Sequence, residues 1–339
     1  MLKIGIIGAG NIGVFLGAHL QAQGHSVVFY GRERLKKEIN THGITITSFQ
    51  KKQAIRLESS KIAYGTEPEL LKSCDVFFVT VKSGDTTNVL TSLVPILGDA
   101  QEKIFVSFQN GVSNADRISK IFPKTNVFPG MVPYNISYQQ RGVFHLGTSG
   151  DLYVQKSSET TEIVNALNSA GLSCKTHANM KGVLYGKLIF NLNNAINALA
   201  GIPLKEELSD SLFRKIIASC MREALGIYKK VRITPVSLGT LIPKIAPAIL
   251  SLPNILFFRI ASKMVQIDPL ARSSMWEDLE QKRKTEFAFI NGEIINLAHS
   301  HSLSAPIQEK LEKLIREAEE KKNGSPNWSS RELKEKLGI

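Results

Sequence analysis

The strand-like run Lys3 to Ile7 passes directly into Gly8-Ala9-Gly10-Asn11-Ile12-Gly13, and Val14 to Gln23 continue as a helical stretch with Phe15, Leu16, Ala18 and Leu20 available for packing. A GxGxxG turn between a strand and a helix is a dinucleotide-binding signature. The first glycine permits the tight turn, the second lets the backbone approach a pyrophosphate, and the third lets the helix pack closely on the strand. The helix then turns its open N–H groups and positive dipole end toward the phosphates. Gly24 ends the helix and Ser26 to Tyr30 supply the next strand. The whole unit has the length of one βαβ crossover, about 30 residues.

The end of that second strand separates the two common dinucleotides. NAD binders place an Asp or Glu about 20 residues beyond the glycines, where it accepts from the ribose 2′-hydroxyl. Here the strand ends Phe29-Tyr30-Gly31-Arg32, followed by Glu33-Arg34 and then Lys36-Lys37. Arg32 is the first charged residue, and a guanidinium grips a 2′-phosphate with a forked set of donors. NADP(H) is therefore the expected cofactor. Glu33 keeps NAD open as an alternative, should the strand run one residue further.

The alternation continues. Ile44 to Thr47, Val76 to Val81, Ile104 to Phe108, Val127 to Val132 and Asp151 to Val154 read as strands, with a helical stretch at Val89 to Leu97. This pattern implies a doubly wound, mostly parallel α/β sheet of Rossmann type. Beyond Thr176 the sequence is helical in period. The expected organisation is a nucleotide-binding domain over 1–178, an all-helical domain over 179–325 and a polar tail over 326–339.

Composition narrows the function classes. Hydrophobic residues make up 43% and charged residues 21% of the chain, a globular balance. Cys74, Cys174 and Cys220 are odd in number, far apart and without CxxC spacing, which fits a reducing compartment better than a disulfide framework or zinc site. The N-terminal sequence lacks the regions of a signal peptide. The most apolar stretch, Leu241 to Val265, carries Lys244, Arg259, Lys263 and three prolines, which argues against a membrane span. A cytoplasmic location is expected. The net charge of +12 is scattered in short runs and reads as a solvated basic surface, not a nucleic-acid site. No HxH or HExxH spacing suggests a metal, and His299 and His301 read as surface residues. No GxSxG elbow suggests a hydrolase.

Two clusters in the second half carry candidate chemistry. In a helix from Leu184 to Asn194, Lys187, Asn191 and Asn194 fall at i, i+4 and i+7 and share one face. The second cluster is Arg272-Ser273-Ser274-Met275-Trp276, followed by Thr285-Glu286 and Asn291-Gly292. Thr285 is placed to cap a helix and Glu286 to sit in its first turn, where the dipole favours a carboxylate.

Taken in order, the glycine turn at Gly8, Val81-Lys82, Gln109-Asn110-Gly111-Val112, Lys187/Asn191 and Ser273-Ser274-Met275/Thr285-Glu286/Asn291-Gly292 resemble the ketopantoate reductases (2-dehydropantoate 2-reductases) over most of the chain. The resemblance implies a Rossmann domain followed by an all-helical domain, with the active site in the cleft between them. It implies Lys187 as catalytic lysine and Asn110 beside the nicotinamide. It places Lys82 near the cofactor ribose and Asn191 and Ser274 on the substrate. It makes Glu286 an acid that orders cofactor and substrate. The sequence departs from the family pattern at Ala195-Ile196, where an Asn-Pro pair is frequent, and at Lys205-Glu206-Glu207-Leu208, in place of Asn-Gly-Glu-Leu. Asn194 and Asn197 lie nearby as substitutes. Pro235 to Met264 reads as an insertion.

The expected reaction is hydride transfer from NADPH to a 2-keto acid, with Lys187 stabilising the carbonyl oxygen and donating the proton. Two rivals stand beside it. One is a 3-hydroxy-acid or sugar-acid dehydrogenase of the same plan, which the serine and glutamate pairs disfavour. The other is a non-catalytic NADP-binding sensor or interaction protein. The expected partner is a small keto acid, with a homodimer left open.

Overall fold

Strands that read as unbroken apolar runs must be covered on both faces, and the first half of the chain is built that way. The computed structural model describes residues 1–49, 53–98, 101–148, 150–239, 242–261 and 271–339. The chain divides into two compact units, Met1–Met180 and Lys181–Ile339.

The first unit runs β1 (Lys3–Ile7), α1 (Asn11–Ala22), β2 (Ser26–Tyr30), α2 (Glu33–His42), β3 (Ile44–Ser48), β4 (Ile55–Leu57), β5 (Ala63–Gly65), β6 (Val76–Val79), α3 (Thr86–Leu97), β7 (Ile104–Ser107), α4 (Asn114–Ile121), β8 (Asn126–Met131), β9 (Ile136–Tyr138), β10 (Val143–Leu146), β11 (Leu152–Gln155), α5 (Thr161–Ser169) and β12 (Cys174–His177). Among the described residues one sheet has the order β12-β11-β8-β7-β6-β1-β2-β5. All neighbours from β5 to β8 are parallel, and β11 runs antiparallel to β8. The segment β5-β2-β1-β6-β7-β8 is the 3-2-1-4-5-6 strand order of a Rossmann sheet, with its topological switch between β1 and β6.

Side chains alternate across this sheet with the period of two that a strand imposes. Ile4, Ile6, Phe29, Phe78 and Val106 pack on one face with Val14, Phe15 and Leu16 of α1 and Leu167 of α5. Ile7, Phe77, Val79 and Phe105 pack on the other with Leu90 and Leu93 of α3 and Ile118 of α4. Phe105 stacks between Phe77 at 4.8 Å and Phe122 at 4.9 Å.

Two assignments differ from the sequence reading. The Ile44 to Thr47 run lies in a separate four-stranded sheet of order β4-β3-β10-β9, outside the doubly wound one. The Rossmann sheet takes β5 as its edge instead, a three-residue strand too short to show a periodic signal. β3 joins the small sheet because it pairs antiparallel with β4 and parallel with β10.

The second unit is helical. α6 (Met180–Asn191) enters it, followed by α7 (Asn193–Ala200), α8 (Leu204–Ser209), α9 (Ser211–Lys230), α10 (Ala246–Leu250), α11 (Asn254–Ala261), α12 (Ser274–Glu280), α13 (Asn291–His299), α14 (Pro306–Lys321) and α15 (Ser330–Leu337). The buried Arg214 of α9 organises one corner. Its guanidinium donates to the carbonyls of Leu208, Leu250 and Leu252 and to Asn254 Oδ1, and lies 4.2 Å from the Phe257 ring centroid. The stretch 326–339 ends in a helix, α15, packed on the unit. Ser329 closes a capping box on α15, and Leu333 and Leu337 are fully buried.

The Leu241 to Val265 stretch lies outside the described residues at position 241 and at 262–265. Its described part forms α10 and α11, where Ile255 and Ile260 are exposed. Among the described residues no helix is long and apolar enough to cross a membrane.

Phe105 tests the two-faced core. Phe105→Ala removes both ring contacts and is expected to cost about 3–5 kcal/mol of unfolding free energy, read from the shift of the urea midpoint.

Candidate functional site

The glycine turn is shaped by how closely β1 approaches β6. Gly8 has φ +94°, and a Cβ there would lie 2.4 Å from the Val81 backbone nitrogen. A Cβ on Gly13 would lie 2.5 Å from Thr80 Oγ1 and 2.6 Å from Ile6 Cγ2. These two glycines are required by the fold itself. Gly10 is different, since a Cβ there would meet nothing nearer than Gly8 O at 3.9 Å. No side chain caps the N-terminus of α1, and its first turn holds no acid. The space above Gly10 and the open amides of Asn11, Ile12 and Gly13 together fit a phosphate. Asn11 also anchors the turn, donating from Nδ2 to Ile136 O at 2.9 Å.

Tyr64, on β5, was not singled out in the sequence. Its hydroxyl donates to Ala9 O at 2.9 Å, and a Cβ on Gly31 would lie 2.1 Å from that oxygen. Tyr64 therefore holds the glycine turn and demands a glycine after β2. No periodic signal marks Tyr64 in the sequence, because β5 is only three residues long.

Lys82 follows β6 and Asn110 follows β7, both half-buried at the carboxyl ends of their strands. A buried polar network fixes the two loops. Gln109 Nε2 donates to Val81 O at 2.9 Å and Thr86 Oγ1 at 2.7 Å, while Ser83 Oγ and Asn114 Nδ2 both donate to Asn110 O. Gly111 takes φ +90°, which turns the chain immediately after Asn110. Arg32, past the end of β2, is exposed and pairs with Asp85 at 3.0 Å.

In the second unit, Lys187 of α6 is half-buried. Burial lowers its ammonium to about 8, and the charge of Glu286 opposes that shift. The structure thus brings these two residues close enough to feel each other. Glu286 precedes a short 3-10 turn, Phe287–Phe289. Thr285 accepts from Phe287 N at 3.2 Å and donates to Glu319 Oε1 at 2.7 Å, which sets the local backbone.

The helix expected from Leu184 to Asn194 is interrupted. α6 ends at Asn191 and α7 begins at Asn193, so Asn194 does not continue the Lys187–Asn191 stripe on one helix. Beside the break, the buried Asn291 donates from Nδ2 to Leu192 O at 3.2 Å and to Gln308 Oε1 at 2.9 Å. Ser274 is exposed at the first position of α12, whereas Ser273 is buried and caps that helix by accepting from Trp276 N. Ser273 Oγ donates to Asn194 O at 3.0 Å. Asn197 is fully buried and committed inside the protein. It donates to Ile202 O and Glu207 Oε2 and accepts from Ser273 N. It is therefore not available to substitute for a missing substrate ligand. Glu207, also fully buried, is pushed up to about 8 by desolvation, against the hydrogen bonds from Asn193 and Asn197.

A Rossmann unit followed by a wholly helical one is a plan of two-domain oxidoreductases. Residues 4–159 match the family Ketopantoate reductase PanE/ApbA, and residues 179–319 match Ketopantoate reductase PanE/ApbA C terminal. The chain belongs to the ketopantoate reductase family and is an oxidoreductase acting on CH–OH groups. A 2-dehydropantoate 2-reductase of Pyrococcus horikoshii is 27% identical over 337 residues, covering 96% of this chain and 100% of the relative. The crystal structure of a PanE/ApbA family ketopantoate reductase from Ralstonia eutropha JMP134 superposes with TM-score 0.80 at 22% identity, covering 95% and 99% of the two chains. The ternary structure of D-mandelate dehydrogenase with NADH and anilino(oxo)acetate superposes with TM-score 0.79 at 20% identity, covering 95% and 100%.

The two kinds of glycine are separable by experiment. Gly13→Ala should lower stability by about 1–3 kcal/mol through overpacking. Gly10→Ala should stay within about 0.5–1 kcal/mol of the parent. Paired thermal melts read the difference.

Proposed function

We propose that the protein reduces 2-dehydropantoate to pantoate with NADPH, as the reductive step of pantothenate biosynthesis in the cytoplasm. The observation that carries this reading is Lys187, a desolvated lysine lowered to about 8 and opposed by Glu286, in a chain of this family. When bound, NADPH supplies the hydride to the carbonyl carbon.

The residues of the first unit bind it. The open turn at Gly8, Ala9, Gly10, Asn11, Ile12 and Gly13 takes the pyrophosphate, and the exposed Arg32 takes the 2′-phosphate. Lys82 steadies the ribose and Asn110 the nicotinamide. In the second unit Lys187 Nζ stabilises the negative charge that develops on the carbonyl oxygen and donates the proton to it. An amine near 8 remains mainly protonated at neutral pH, yet gives up its proton more readily than an exposed lysine. Asn191, Asn194 and Ser274 orient the substrate through neutral hydrogen bonds. Glu286 keeps Lys187 charged and orders a hydroxyl of the substrate or ribose.

Steady-state kinetics with 2-dehydropantoate and a panel of other 2-keto acids tests the assignment. No turnover of any of them, with nucleotide still bound, would favour a sensor. A different keto acid turned over faster would move the substrate assignment.

Three further outcomes follow from the lysine. Lys187→Ala should lower kcat by about 10²–10⁴-fold while leaving nucleotide binding intact. In the reductive direction kcat should fall as pH rises through about 8, because the acid form of Lys187 is lost. Glu286→Gln removes the charge that raises the lysine, so this alkaline limb should move to lower pH. A limb that stays in place in Glu286→Gln would contradict the coupling.

A further inference from the structure

The cations at the end of β2 are already matched by carboxylates from neighbouring strand ends. Arg32 Nη2 lies 3.0 Å from Asp85 Oδ2, and both side chains are exposed. Asp85 belongs to the loop after β6, three residues beyond Lys82. One turn into α2, Lys36 Nζ lies 3.3 Å from Glu67 Oε1 and 3.7 Å from Glu33 Oε2. Glu67 is itself held in place, since Thr66 donates to it from both its hydroxyl and its backbone nitrogen. These hydrogen bonds keep its carboxyl at about 2, so it stays ionised at every working pH. The phenol of Tyr30, the last residue of β2, is raised by burial first and then by the charges of Glu67 and Glu69. The field at this strand end is therefore not simply basic.

A 2′-phosphate and a 2′-hydroxyl meet this arrangement differently. The phosphate carries about two negative charges near neutral pH. To use the Arg32 guanidinium it must share it with Asp85 and lie beside that carboxylate, and Lys36 with Glu67 presents the same arrangement. A hydroxyl carries no charge and finds carboxylate acceptors already in place.

We propose that Asp85, assisted by Glu67, is a specificity-determining residue that holds down the preference for the phosphorylated dinucleotide, so that the protein accepts NADH as well as NADPH. This inference rests on the dinucleotide reading given above and concerns the same site. It assigns no role to Asp85 in the chemistry, and Asp85 makes no side-chain cap on α3 that a substitution would remove.

The test measures NADPH and NADH dissociation constants of the full chain by nucleotide fluorescence, with no substrate present. Asp85→Asn keeps shape and removes charge. It should tighten NADPH about 1.5-fold to fivefold, the range expected for removing one exposed charge interaction, with a much smaller change for NADH. Glu67→Gln should act in the same direction. In an Arg32→Ala background the Asp85→Asn gain should shrink, because the competition for the guanidinium is gone, which a merely structural role for Asp85 would not produce. Tight binding of NADPH by the parent, with Asp85→Asn and Glu67→Gln both unchanged, would overturn the selectivity proposal and leave the cofactor reading standing. Equal weakening of both nucleotides in Asp85→Asn would likewise overturn it. A parent that binds neither nucleotide would overturn the cofactor reading and this proposal together.

Discussion

The close approach of β1 to β6 is the constraint from which the first unit follows. Two parallel strands at a topological switch send their connections to opposite faces of the sheet, which leaves a crevice at their carboxyl ends. Here the crevice is narrowed until Gly8 and Gly13 have no room for a Cβ against Val81, Thr80 and Ile6. That contact fixes where α1 begins and which way its amides point. It also fixes Lys82, because Lys82 is the next residue after Val81. The Gln109–Thr86–Asn114 network then ties the β7 loop to the same place. The position of Asn110 is inherited from a packing requirement two strands away.

In the second unit the amine of Lys187 is desolvated within reach of a carboxylate. Desolvation alone favours the neutral form, and a nearby carboxylate favours the ammonium. Lys187 and Glu286 show both effects at once, with burial the larger. Near the interruption between α6 and α7 amides do much of the holding, with the buried Glu207 carboxyl accepting from Asn193. Asn291 donates to the carbonyl of Leu192 and to Gln308, and Gln308 in turn donates to Cys220 O. Neutral hydrogen bonds fix geometry without adding charges that would move the lysine further.

The parts legible in the sequence were those with local physical causes. The turn Gly8 to Gly13 and the strands β1, β2 and β6 each carry a period or a steric need within a few residues, whereas Lys187 was singled out by the family resemblance. The parts that were not legible depend on distant partners. Nothing near Tyr64 announces that its hydroxyl reaches Ala9 from the edge strand. Ile44 to Thr47 reads as a strand, but its sheet is chosen by pairing with β10, about a hundred residues further on. Ser273 and Ser274 look alike in sequence, yet one is a buried cap and the other is exposed. Asn197 looked available for a ligand until three partners inside the protein were found to occupy it.

On the proposed chemistry, the neutrality of Asn191, Asn194 and Ser274 has a consequence for recognition. A 2-keto acid offers two groups that attract an ammonium, its carboxylate and its carbonyl oxygen, and only the second gains charge in the reaction. A lysine that settled on the carboxylate would bind ground state and transition state about equally, and would raise affinity without raising turnover. Glu286 works against that outcome, because a carboxylate already beside Lys187 repels a second one. Amides and a hydroxyl donate to the substrate carboxylate without that repulsion and without carrying a charge. The division of labour leaves the ammonium for the oxygen whose charge appears only as hydride arrives, where its interaction strengthens along the reaction coordinate.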